Sequence, residues 1–226
     1  MFYYDSTYLL LIPAMIISAW AQFKVSATFE KYSKVYSSKG LSGAEVARML
    51  LDNNGLYNVP IEVTGGKLSD HYDPTRQILR LSNDVYYGNS VASLGVAAHE
   101  VGHAIQHKTA YKPLILRNSI VPIVNLGSSM SWVLFIAGLI LSIQPLITIG
   151  ILLFSGVVVF QLVTLPVEFD ASARALKELG SRGILYNEEV KGAKKVLDAA
   201  ALTYVAATIM AISQLLRLIA LSKRND

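Results

Sequence analysis

In the run Ala97-Ala98-His99-Glu100-Val101-Gly102-His103-Ala104-Ile105-Gln106-His107, two imidazoles stand four residues apart and a carboxylate follows the first of them. Residues i and i+4 share one face of a helix, so His99 and His103 can reach a single metal ion while Glu100 projects beside them toward water on that ion. This H-E-x-x-H spacing is a zinc signature, and each residue type has a chemical reason. Neutral imidazoles bind Zn²⁺ without cancelling its charge, which lets the ion bring the pKa of bound water down to about 7. Glu100 can then accept that water's proton and pass it to a leaving amine. The spacing predicts metal-assisted hydrolysis. The chain has only four histidines, and three of them fall between His99 and His107. The flanking Val96, Ala97, Ala98, Val101, Ala104 and Ile105 give such a helix apolar faces to bury.

A hydrolytic zinc site takes three protein ligands and keeps one position open. The segment Leu165-Pro166-Val167-Glu168-Phe169-Asp170-Ala171-Ser172-Ala173-Arg174 offers two carboxylates directly after a long apolar stretch. Pro166 suits a first helical turn, so a helix is expected to open there with Glu168 near its start. A solvated carboxylate favoured by the helix dipole is the other reading of Glu168. Asp170 is the rival ligand, although its i to i+4 spacing from Arg174 equally predicts an ion pair. His107, one turn beyond His103, reads as a residue at the rim of the site. His71 sits in a polar turn, as a plain loop histidine or a substrate contact. Among Tyr86, Tyr87, Tyr204, His71 and Arg174, spacing does not choose a donor to a developing oxyanion.

These residues must be positioned by a chain that is 53% hydrophobic and 16% charged, with a mean hydropathy of +0.42. That balance predicts a membrane protein with a modest soluble part. Four stretches approach the roughly 20 apolar residues that a span needs, at 8–23, 121–143, 146–165 and 199–221. The middle two are separated only by Gln144-Pro145 and must form an antiparallel hairpin. Ala19-Trp20-Ala21 resembles a signal-peptide cleavage site, yet no Lys or Arg precedes the first stretch and Asp5 does, which predicts a retained anchor. Of the 20 Lys and Arg residues, eleven lie between Lys24 and Arg117, six between Arg174 and Lys195, and the rest are Arg217, Lys223 and Arg224. The hairpin tip has none, so the positive-inside tendency places both polar segments in the cytoplasm. The net charge of +4 follows from this topology rather than from nucleic-acid binding, because no basic stripe with stacking aromatics is present. With no cysteine, the chain has neither disulfides nor thiolate ligands, which also sets aside a deformylase-like site.

Before the histidine motif the chain reads as a small α+β unit. Ser42-Gly43-Ala44-Glu45 is a capping-box pattern, opening a helix that Asn53-Asn54-Gly55 should close. Strands are expected at 59–63 and 77–82, the second because Gln77-Ile78-Leu79-Arg80-Leu81-Ser82 alternates polar and apolar residues.

The H-E-x-x-H motif, two hydrophobic spans and then Glu168-Phe169-Asp170-Ala171 resemble the membrane gluzincins of the HtpX-like and CAAX-prenyl-endopeptidase groups. More closely, the whole chain resembles the YugP-like neutral zinc metallopeptidases of bacterial membranes, with matching segments at Leu68 to Pro74, Arg80 to Ser82, His99 to His107 and Pro166 to Ala171. The resemblance implies Zn²⁺ held by His99, His103 and Glu168, with Glu100 as catalytic base. It differs from the HtpX-like pattern in one place: Ser172 stands where that pattern has an Asp supporting a metal histidine. In zincins an edge strand beside the metal helix pairs with extended substrate, which here implies Leu79, Arg80 and Leu81.

The expected fold is an integral membrane α-helical protein with a small α+β zincin-like catalytic unit, an H-E-x-x-H helix and a transmembrane hairpin leading to the third-ligand helix. The expected division is an anchor at 1–23, the catalytic portion at 24–117, the hairpin at 118–165, the third-ligand helix and cytoplasmic segment at 166–198, and a last membrane helix at 199–226. The expected activity is that of a multi-pass inner-membrane zinc endopeptidase, its site facing the cytoplasm. Its partners would be lipid and peptide or protein substrates, chiefly membrane proteins. The alternative is a noncatalytic membrane scaffold or adaptor in which the histidines bind a structural metal or nothing, and which would have no use for Glu100.

Overall fold

The computed structural model describes residues 6–223, and two charges behind the topology expectation, Asp5 and Arg224, lie outside the described residues. A 3₁₀ turn at Ser6–Leu10 leads into α1 (Ile12–Ser33), followed by α2 (Gly43–Asn53), β1 (Ile61–Thr64), β2 (His71–Asp73), β3 (Ile78–Ser82), α3 (Asn83–Tyr86), α4 (Val91–Lys108), α5 (Lys112–Leu141), α6 (Gln144–Ser181) and α7 (Asn187–Ser222). The chain forms two compact units. One gathers Phe23–Leu114 and Val167–Leu202; the other gathers the chain up to Gln22, Ile115–Pro166 and the chain from Thr203.

The first of these units holds the sheet. The Ser42 hydroxyl accepts from the Glu45 amide and the Glu45 carboxylate accepts from the Ser42 amide, so the capping box starts α2. Gly55, at φ +66°, turns the chain out of that helix. Val46, Ala47, Leu50 and Leu51 repeat at helical spacing and are buried with Leu79, Leu81, Leu94, Val101, Leu179 and Leu185 in one core. β3 is the central strand, parallel to β1 and antiparallel to β2. β1 begins only after Pro60, which has no amide to donate to a ladder; its carbonyl accepts from the Leu79 amide. β2 is a strand that side-chain alternation did not reveal, because three residues between turn signals carry too little pattern. The Asp73 carboxylate accepts from the amides of Thr75 and Arg76, closing the β2–β3 turn.

In the other unit, Phe135, Ile147, Phe154, Val158, Ala211 and Leu218 form a separate apolar cluster contributed by α5, α6 and α7. Ile123, Leu126, Val133, Ile140 and Leu152 face outward, as apolar side chains do on helices that meet lipid rather than water. Gly138 lies against Ile147 and Gly150 against Phe135, so α5 and α6 run antiparallel. Their turn is Ser142-Ile143, not Gln144-Pro145. Pro145 is tolerated in the first turn of α6 because its missing donor is one the helix would leave unused.

Among the described residues four helical stretches, Thr7–Ser33, Lys112–Leu141, Gln144–Ser181 and Asn187–Ser222, are long and apolar enough to cross a membrane. Each outruns its apolar stretch. The helix expected to open at Pro166 is instead continuous from Gln144, with the proline inside it. Proline removes one backbone bond there, but Val167, Ala171, Ala175 and Leu179 fall on one buried face and hold the helix by packing.

Candidate metal centre

The site is built from α4 and α6. α4 is capped by Ser90, whose hydroxyl accepts from the Ser93 amide, and its helical twist puts His99 and His103 on one face, their rings 4.8 Å apart and nearly perpendicular. The Glu168 Oε2 atom on α6 lies 3.4 Å from His99 Nε2 and 3.6 Å from His103 Nε2. One ligand atom from each of these three residues falls within 4.8 Å of the others. The approach depends on Gly102: a Cβ there would come within 2.5 Å of the Ala171 carbonyl oxygen, so the two backbones meet where only hydrogen fits.

Both imidazoles are held from behind. His99 Nδ1 is 3.1 Å from the Ser172 hydroxyl and His103 Nδ1 is 3.0 Å from Gln106 Oε1. Each ring therefore turns Nε2 toward Glu168. Ser172, at the position where the HtpX-like pattern carries an Asp, contacts a histidine of the pair from the same place in the sequence. Glu100 is buried on the neighbouring face, and its Oε2 accepts from the Tyr72 amide at 3.0 Å. Burial works against charging His103, yet the carboxylates of Glu168 and Glu100 raise its pKa above the usual imidazole value.

Asp170 points elsewhere. Its carboxylate accepts from Arg174 at 2.6 Å and from Gln106 at 2.8 Å, the ion pair that its spacing predicted. His107 Nδ1 lies 3.0 Å from the Tyr72 hydroxyl, and His71 Nδ1 lies 2.8 Å from the Ser69 carbonyl.

The sequence pattern of the family described as "Putative neutral zinc metallopeptidase" matches residues 7–223. The chain belongs to this family. It is 54% identical over 210 residues, 93% of each chain, to "Putative membrane protease YugP" of Bacillus subtilis (strain 168). No solved structure matches it. With a relative of that name and four helices of spanning length among the described residues, this member of the family is a membrane protein.

Zinc is the metal of the family, and the cluster fits it by donor type and spacing. Two imidazole nitrogens and a carboxylate oxygen form a common catalytic donor set, and tetrahedral bonds of about 2.0–2.1 Å would set ligand atoms about 3.3 Å apart. The observed 3.4 and 3.6 Å lie close to that edge before any ion draws them in.

One expectation is corrected. Leu79, Arg80 and Leu81 were expected on an edge strand open to substrate, but β3 is paired on both sides and Leu79 and Leu81 are fully buried. The alternation that marked a half-buried strand is also the pattern of a central one when a helix covers one face. The edge beside Glu100 is β2. Two partners of the site escaped sequence reading. Gln106 sits three residues after His103 among apolar neighbours, a faint signal of a buried polar role. The Tyr72 amide left no signal at all, since every non-proline residue carries one.

Proposed function

We propose that this membrane metallopeptidase is an endopeptidase cleaving peptide bonds of membrane or membrane-proximal proteins, with His99, His103 and Glu168 holding Zn²⁺ and Glu100 as general base. The observation carrying this reading is the convergence of two helix-borne imidazoles and a buried carboxylate from a distant helix within 4.8 Å. Zinc bound there supplies Lewis acidity toward water and the scissile carbonyl. Glu100 removes the proton of the attacking water and returns it to the departing nitrogen. The Tyr72 amide fixes one oxygen of that carboxylate and leaves the other for proton transfer. His99 and His103 are oriented toward the ion through their Nδ1 partners. The edge strand β2, beside Glu100, is assigned to the main chain of an extended substrate. The catalytic unit is zincin-like and faces the cytoplasm, as the distribution of Lys and Arg supports.

Casein cleavage and zinc content of the purified full-length chain in detergent test this reading together. Glu100→Gln is expected to keep its zinc and lose roughly 10²–10⁴-fold in rate. Glu168→Ala is expected to lose zinc and activity together. Cleavage by Glu100→Gln at the unmodified rate, or full zinc in Glu168→Ala, overturns the proposal.

A further inference from the structure

We infer that Gln106 is a positioning residue for the metal site, locking His103 in one tautomer and tying α4 to α6 at the third ligand, with Asp170 and Arg174 as its outer anchor. The inference rests on the ligand reading given above.

Gln106 is fully buried, an unusual position for an amide unless its groups are matched. Its Nε2 donates to the Val167 carbonyl and to Asp170 Oδ2, both at 2.8 Å. Two acceptors on that side fix the amide, so the oxygen must be the atom that faces His103 Nδ1 at 3.0 Å. His103 then donates from Nδ1, and its Nε2 lone pair is presented toward Glu168. Asp170 is itself held at 2.6 Å by Arg174, so the relay ends on a partly exposed ion pair. The bond to Val167 adds a second effect. That residue directly precedes Glu168, so one side chain sets both the histidine's orientation and the height of the helix bearing the carboxylate. Glutamate would meet Asp170 and the Val167 carbonyl as a charge facing acceptors, and lysine could not accept from His103.

Chelator competition on the full-length chain in detergent reads zinc affinity without using cleavage. Gln106→Met keeps length and removes every hydrogen bond; it is expected to weaken zinc about 10–100-fold while helical circular dichroism is retained. Gln106→Glu is expected to weaken it at least as much. Combined with Asp170→Asn, which again sets a donor against an acceptor, Gln106→Glu should recover most of the loss. That recovery is the readout a purely structural role would not produce, and it decides the matter should Gln106→Met fail to fold. His103→Ala separates the two levels of the argument. Wild-type zinc affinity in His103→Ala overturns the ligand reading and the relay with it. Zinc loss in His103→Ala, with Gln106→Met within twofold of wild type or no recovery in the pair, overturns only the role of Gln106.

Discussion

At Gly102, α4 meets α6, and an added Cβ would stand 2.5 Å from the Ala171 carbonyl oxygen; at Gly150, α6 meets α5, and an added Cβ would stand 2.9 Å from both the Phe135 nitrogen and the Ser131 oxygen. The two crossings use the same device, a glycine that lets backbones touch, as small residues commonly do between membrane helices. They differ in what flanks the contact. Gly102 adjoins His103, and Ala171 lies between Asp170 and Ser172, so separation there would pull the imidazoles from Glu168. Around Gly150 the residues that would have to give way, Phe135 and Ser131, belong to helix packing and include no candidate ligand. The same substitution should therefore have two outcomes. Gly102→Ala is expected to cost about 1–3 kcal/mol from overpacking and to lower zinc affinity at least tenfold. Gly150→Ala should lower the thermal midpoint while leaving zinc affinity of the folded protein within twofold. Equal losses of zinc in the two variants would break the distinction between a crossing that sets ligand geometry and one that only packs.

Arg217 probes the contrast from the other unit. It is buried on α7, its Nε donates to the Thr7 hydroxyl at 3.2 Å, and its guanidinium lies 3.9 Å from the centroid of the Tyr8 ring. Arg217→Met removes the bond to the Thr7 hydroxyl and the cation over the Tyr8 ring together, while keeping much of the side chain's apolar length. The thermal midpoint is expected to fall, while the zinc affinity of the folded protein stays within twofold of wild type. A tenfold loss of zinc would tie this corner of the helical unit to the metal site and redraw the comparison.

What could be read from the chain follows the same division. Hydropathy marks the four long helices because an apolar stretch is a local property of sequence. The i, i+4 rule likewise puts His99 and His103 on one face, since helix geometry alone decides it. The continuity of α6 through Pro166 was not legible, because local propensity favours an opening there and the buried face from Val167 to Leu179 overrides it. The edge position of β2 was hidden for a related reason. Pairing is made by backbone groups, and His71-Tyr72-Asp73 has no alternation to reveal it. Gln106 lies between these cases. Its residue type and spacing were visible, but its acceptors, Val167 and Asp170, lie more than 60 residues away and are brought near only by the crossing at Gly102.

The smallest expected effect belongs to the sheet that carries the Tyr72 amide. Asp70 Oδ1 accepts from the Ser82 amide at 2.7 Å and Oδ2 from its hydroxyl at 3.1 Å, pinning the start of β2 to the end of β3. Burial pushes this carboxyl above its usual range, and the bonds from Ser82 offset only part of that. A folded-state pKa above the unfolded value of about 3.9 means that the group favours folding most when protonated. That contribution is complete below the unfolded pKa and is lost as pH rises through the folded one. Asp70→Asn keeps an acceptor for the Ser82 amide and removes the charge. The variant should match or slightly exceed the wild-type thermal midpoint at pH 7 and lose that advantage as pH falls toward about 4, with zinc affinity at pH 7 unchanged. If the variant is instead less stable at pH 7 than at pH 4, relative to wild type, the ionised carboxylate's bonds to Ser82 outweigh its desolvation. Asp70 would then be a clamp that needs its charge, and the sheet edge beside Glu100 would depend on an electrostatic contact as the metal cluster does.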